Sequence, residues 1–263
     1  MRGLVRDSLV EMFDRKTVWI FLAVTLIGVV VAVLTPQVDM EIRMEGDMDF
    51  GSLGDYLRNP VTMALSGFLA FVVFLTVLAT AGVIPTMLVR GRADYYLSKP
   101  ISRAGLLLNK TLAIWLVYGA MILLCGVICY VTLVLVHGFF DWRVLYLFGL
   151  YLVSLFIWLS VTITVGVVSG STAIAMMSAF LVWVAQKILH FHEEINAFVD
   201  SQPVSYVIDT LYYIVPKTGE LASLIDTLAL GKPVESWLPL YSSLMFAFAC
   251  TVLAVVVFKR KNY

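Results

Sequence analysis

The sequence predicts an all-α membrane protein: six transmembrane helices, an N-terminal amphipathic helix, a short structured elbow between the second and third spans, and interfacial or re-entrant helices before the sixth. Three observations carry this. The 263 residues are 61% hydrophobic and 14% charged, whereas soluble domains hold about half apolar and about a quarter charged residues. From Val144 to Gln186 there is no Asp, Glu, Lys or Arg at all. The basic residues are also segregated. Arg2, Arg6, Arg15 and Lys16 precede the first span; Arg90, Arg92, Lys99, Arg103 and Lys110 lie between the second and third; Lys259, Arg260 and Lys261 follow the sixth. In a six-span chain these twelve of the 18 Lys and Arg share one face, and Asp39, Glu41, Glu45, Asp47, Asp49 and Asp55 occupy the other. The positive-inside rule then places both termini and the elbow in the cytoplasm of a cell (inner) membrane. There is no basic tail or basic domain, so nucleic acid is not an expected partner.

Residues 1–263 read as one transmembrane domain. Residues 1–16 form the amphipathic helix, with Val5, Leu9, Met12 and Phe13 on one face and Asp7, Glu11 and Asp14 opposite; such a helix lies in the headgroup plane or against a partner. The acids, and the lack of a small-residue cleavage site, argue against a signal peptide. A bilayer core of about 30 Å needs roughly 20 apolar residues in a helix. Thr17–Leu34 is the first span. Val61–Val89 is the second, long enough to tilt or to project beyond the lipid, and Thr111–Val136 is the third. The uncharged run holds the fourth and fifth, 144–167 and 172–189, divided at Ser169-Gly170-Ser171-Thr172 where turn-forming residues cluster. Trp237–Phe258 is the sixth.

Outside the membrane, Thr35–Pro60 begins with Val38, Met40, Ile42 and Met44 alternating with charged residues, the period of a strand, and Gly46-Asp47 can turn it into a hairpin. The segment 190–236 holds two short helices. Val204–Val215, between Pro203 and Pro216, is too short to span. A second helix is capped by Thr218, carries Leu221, Leu224, Ile225 and Leu228 at helical spacing, and is stopped by Gly231 and Pro233.

Chemistry is sparse. The spans lack the acids, bases and nucleophile pairs that proton relays and intramembrane proteases need, and no catalytic residue is expected. Ser160, Thr162 and Thr164 read as bonding their own backbone or a neighbouring helix. Gly166 and Gly170 have the small-x-x-x-small spacing of close helix packing. Cys125, Cys129 and Cys250 read as small hydrophobes. His190 and Glu194 would share a helix face that suits a metal, and Met40, Met44 and Met48 a soft metal. Interfacial packing and a capping hairpin are the plainer readings, so no metal is expected. The phosphate-binding G-x-x-x-x-G-K-[ST] loop is absent from the sequence.

The conspicuous stretch is the elbow, "YYLSKPISR". Tyr95, Tyr96 and Leu97 form an apolar knob, Pro100 redirects the chain, and Ser102 can cap a helix running into the third span. Exposed aromatics beside an arginine are the makings of a contact hot spot.

Leu97–Lys110, "LSKPISRAGLLLNK", resembles the stretch between the second and third spans of type-2 ATP-binding-cassette (ABC) transporter permeases. Ser98, Lys99, Pro100, Ile101, Ser102, Arg103 and Lys110 match that family's pattern. Asn109 replaces its usual glycine, and "VRGRADYY" keeps only Asp94 of its acid-rich lead-in. The amphipathic start, six spans, large outer segment and basic ending "FKRKNY" follow the same plan. The resemblance implies that residues 90–110 form a cytoplasmic coupling loop, its coupling helix seated on a separate ATPase subunit. Asp94, Tyr95, Tyr96, Leu97, Ser98, Lys99, Pro100, Ile101 and Arg103 would be the ATPase contacts. It also implies a second permease copy or homologue, ATP and magnesium bound on the ATPase with no cofactor in this chain, and export of an apolar or amphipathic substrate. Two other classes fit the sequence: a membrane-embedded enzyme with its site around His190–Glu194, and a membrane anchor for an extracytoplasmic complex.

Overall fold

The structure, a computed structural model, describes residues 2–14, 16–34, 50–88, 102–138, 140–189, 202–234 and 236–261. Among these residues there are helices and no strand: α1 (Arg2–Asp14), α2 (Thr17–Leu34), α3 (Phe50–Thr80), α4 (Val83–Met87), α5 (Arg103–His137), α6 (Leu145–Ser169), α7 (Thr172–Leu189), α8 (Gln202–Ile214), α9 (Thr218–Ala229) and α10 (Leu238–Arg260), with a 3-10 turn, Trp142–Val144, leading into α6. The hairpin expected around residues 38–48 lies outside the described residues.

Among the described residues, four stretches are long and apolar enough to cross a bilayer: Thr62–Met87, Arg103–Val136, Trp142–Ser169 and Leu238–Arg260. The chain is a membrane-embedded helical protein on that basis. The pair α1 and α2, bent by 71°, makes a fifth if taken as one span, and the apolar part of α7, Thr172–Gln186, is shorter than the others. The expected six spans are therefore seen as four or five. The two that fall short, α2 and α7, have 18 residues each, and at 1.5 Å per residue that is about 27 Å, just under the bilayer core.

Local signals explain most helix ends. Ser102 caps α5 as its sequence suggests, its hydroxyl accepting from the Gly105 N–H at 3.1 Å. This satisfies an orphan amide and starts the helix eight residues before the apolar span. Gly170 ends α6 in the left-handed region (φ 67°) and donates its N–H to the Gly166 carbonyl, which makes the break between α6 and α7 fall where the turn residues are. Lys16, with φ 56°, takes the same conformation between α1 and α2 and sets their bend. The second expected span is present as Thr62–Met87, with a turn near its end. Pro85 has no N–H for the Ala81 carbonyl, and the chain turns at Ala81-Gly82 before α4 begins. That span also starts earlier than its apolar onset. Residues 50–60, expected as loop, are helical, because backbone hydrogen bonding does not require apolar side chains.

At the centre stands α6, which packs on α3, α4, α5, α7, α9 and α10. Leu147, Leu155, Ile157, Leu159 and Val167 are completely buried; a helix apolar all round belongs inside. Its polar residues behave as expected. Ser160 bonds the Ile157 carbonyl at 2.7 Å, Thr162 bonds Trp158 and Leu159, and Thr164 donates to Ser160 at 2.6 Å and across to the Cys250 carbonyl of α10 at 2.9 Å. Gly166 lets Pro85 of α4 approach, since a Cβ there would lie 3.2 Å from the proline ring. This is contact within the chain, and Gly170 is a cap with open space around it rather than a packing residue. Cys125 and Cys129 are buried free thiols.

The basic residues at one end of the bundle tie it together. Lys261 Nζ donates to the Val167 and Val168 carbonyls at 2.8 and 2.7 Å, capping the C-terminal end of α6. Arg103 Nη1 donates to the Lys261 carbonyl at 2.8 Å. Lys110, 1% exposed, reaches Asp7 at 2.7 Å and Glu11 at 3.4 Å. The amphipathic helix thus lies on α5 through Asp7 and Glu11, with Met12 buried, while Asp14, Leu9, Val10 and Phe13 are exposed.

Candidate functional site

Of the expected ATPase contacts, Asp94, Tyr95, Tyr96, Leu97, Ser98, Lys99, Pro100 and Ile101 lie outside the described residues. Arg103 is the first residue of α5 and half-buried, its guanidinium held by the end of α10. The His190–Glu194 stretch is also outside the described residues. Among those that are described, no three His, Cys, Asp or Glu side chains gather to hold a metal.

A groove that sequence reasoning missed lies toward the other end of the bundle. It measures about 670 Å³ and runs between α3 and α7, floored by α6 and closed by α8, α9 and the turn joining them. Small-molecule sites span about 300–1,000 Å³ and combine apolar walls with a few polar groups. Here the walls are Val73, Phe74 and Val77 of α3, Trp158 of α6, and Phe180 and Trp183 of α7. The last two stack, with ring centroids 6.0 Å apart.

The polar end is built by Gln186, Tyr212, Lys217, Thr218 and Glu220. Thr218 does not cap its helix as expected. The N-cap position of α9 belongs to Lys217, which makes no side-chain cap bond, and the Thr218 hydroxyl instead donates to Gln186 Oε1. That bond turns the Gln186 amide so that Nε2 is buried with no hydrogen-bond partner among the described residues. The Lys217 backbone is fixed on both sides: its N–H donates to Ser243 Oγ of α10 at 2.9 Å, and its carbonyl accepts from Leu221 at 2.8 Å. Its side chain, 5% exposed, lies 3.5 Å from the centroid of the Tyr212 ring and 4.9 Å from that of Tyr213, and Nζ has no hydrogen-bond partner among the described residues. Burial pushes the Lys217 amine below its ordinary pKa, and the nearby Glu220 carboxylate pulls it partly back. Glu220 in turn accepts from the Tyr212 hydroxyl at 2.8 Å.

Beneath the groove, the Tyr151 hydroxyl donates to the Ser66 carbonyl at 2.9 Å and lies 2.8 Å from Ser66 Oγ, joining α6 to α3. Asp226 of α9 sits close by, its carboxyl raised by burial and held back by a hydrogen bond from Ser66. The sequence did carry a trace of this site. Gln186 ends the uncharged run, and Lys217 follows the apolar helix α8 directly after a proline. Only the fold brings them together.

No protein-family model and no curated protein matches the sequence. Fold and site alone define the class: a membrane-embedded helical protein with an aromatic groove and a buried lysine at its polar end.

Proposed function

We propose that the chain is the permease subunit of an ABC exporter, forming the substrate pathway and coupling to a separate ATPase subunit that binds ATP and magnesium. In this reading it has six spans, α2 and α7 being the two short ones. It sits in the cell (inner) membrane with both termini cytoplasmic and pairs with a second copy or a homologue. The observation that carries the reading is the Leu97–Lys110 stretch. Its support in the fold is the Ser102 cap, which gives the elbow a fixed helix start, and the Arg103 bond, which fastens that start to α10.

The test is capture of the ATPase by wild-type, Tyr96→Ala/Leu97→Ala and Lys99→Ala permease at equal expression. Burying such a side chain contributes about 1.5–3 kcal/mol, and truncation at a hot spot costs about 2 kcal/mol or more, over tenfold in affinity. The double variant therefore inserts normally and loses capture and transport-coupled ATP turnover. Lys99→Ala loses much less, because an exposed charge is screened. Equal capture and turnover by all three would reduce the elbow to a topology signal and sink the reading.

A further inference from the structure

We propose that the groove between α3 and α7 binds an amphiphile whose charged group is a monoanion that only accepts hydrogen bonds, its apolar tail lying along the aromatic walls and that group against Lys217 and Gln186. The inference rests on the permease reading for the site's purpose, and on the groove alone for its chemistry.

The argument comes from what the polar end lacks. A buried polar group without a partner is costly, and a buried ammonium more so. Two such donors occupy one end of one cavity: Lys217 Nζ and Gln186 Nε2, both buried and both without a hydrogen-bond partner among the described residues. Neither is free to turn away. Thr218 holds the Gln186 carbonyl oxygen, and the Lys217 ammonium rests against the Tyr212 and Tyr213 rings, contacts that leave its N–H donors without a hydrogen bond among the described residues. Together they offer N–H donors and seek a group that only accepts. A carboxylate or a phosphodiester does so; an alcohol or an amine brings a donor of its own. The charge of the head follows from Glu220, which lines the same end and engages Tyr212. Lys217 and Glu220 sum to zero, so a monoanion leaves one net negative charge there and a dianion two, in a site partly screened from water. Apart from Ser154 and Ser223 the remaining lining is mostly apolar and aromatic, which fits an acyl chain better than a sugar or a peptide.

The two head chemistries have different sources, a free fatty acid or a membrane phospholipid, and one experiment separates them. The purified full-length chain, in an uncharged detergent, is titrated with brominated stearate, brominated phosphatidylglycerol and brominated stearyl alcohol, with quenching of tryptophan fluorescence as the readout. A tail in the groove brings bromine against Trp158 and Trp183. We expect saturable quenching by at least one anionic probe and at least about tenfold weaker quenching by the alcohol, since a hydrogen bond to an ionised group is roughly twice as strong as one between neutral groups. Lys217→Met should weaken the anionic probe to the level of the alcohol, and Lys217→Arg should retain it. Stearate alone assigns a fatty acid, phosphatidylglycerol alone a phospholipid, and both a site that reads only the monoanion.

Equal quenching by alcohol and anions in the wild-type protein overturns the proposal and needs no variant to fold. Quenching that vanishes as the protein dimerises also overturns it, by assigning the groove to a second copy. Because the titration contains no ATPase, the two readings fail separately. Anion binding without ATPase capture leaves the site and sinks the permease; capture without anion selectivity does the reverse.

Discussion

Lys110 and Lys217 are both almost wholly buried, and their surroundings make them opposite cases. Lys110 has two carboxylate partners, Asp7 and Glu11. Removing one member of a fully buried pair costs about 3–5 kcal/mol, and an exposed pair is worth about 0–1. Since the Asp7 side chain is 41% exposed, Lys110→Met should cost an intermediate amount, about 1–3 kcal/mol. It should free α1, which is read as a lower unfolding temperature in detergent and as faster proteolysis near Arg6. Lys217 has no carboxylate within hydrogen-bonding reach among the described residues, and burial lowers its pKa from 10.5. Between its folded value and about 10.5 the unfolded chain binds more protons than the native one, so stability rises with pH across that window. Thermal unfolding of the wild type should shift upward as pH is raised toward 10.5, and that slope should flatten in Lys217→Met. An unchanged slope would mean that the amine is not desolvated in the folded protein.

At the scale of elements, the two glycines of α6 separate steric from conformational demands. Gly166 faces Pro85, and a Cβ would meet the ring at 3.2 Å. Gly166→Leu should therefore cost about 1–3 kcal/mol by overpacking, and Gly166→Ala clearly less. Gly170 has open space but φ 67°, so Gly170→Ala should cost about 1–2 kcal/mol for the left-handed conformation alone, and Gly170→Asn less. Equilibrium unfolding of the four variants decides it. The same contrast explains what could be read from the sequence. The Ser102 cap, the break at Ser169–Thr172 and the stop at Gly231 are local backbone chemistry, complete within a few residues, and they were legible. Gly166 was legible as a close-packing residue but not its partner, because Pro85 is eighty residues away. The partner of Asp7 and Glu11 was not legible, because Lys110 is not part of that helix. The groove was invisible, since Phe74, Trp158, Trp183 and Lys217 share no sequence neighbourhood. Tyr95–Ile101 remain known by sequence alone.

Over the whole molecule, the exposed apolar surface shows where lipid or another subunit must lie. Trp19, Leu26 and Ile27 of α2 are more than half exposed, and only 17% of the apolar window of α10 is buried, against 56% for Thr62–Met87. Such faces are stable only in an apolar surrounding. The basic end, where Lys110, Arg103 and Lys261 collect, is predicted to be cytoplasmic, and the groove's polar end to face outward. With the three native cysteines replaced by alanine, Ser223→Cys should label in intact cells with an impermeant thiol reagent, and Lys259→Cys only after lysis. The reverse pattern would invert the orientation.

The last helix has a consequence in time as well as in space. A ribosome delivers α10 after α1 to α9, yet this helix supplies Ser243 to hold Lys217 and leads to Lys261, which clamps α6 and receives Arg103. The tie at Ser243 and the clamp at Lys261 therefore form only after the earlier helices have been made. Closure of the groove's polar end waits for α10, and deletion of residues 238–261 should leave the Lys217 backbone without its Ser243 bond.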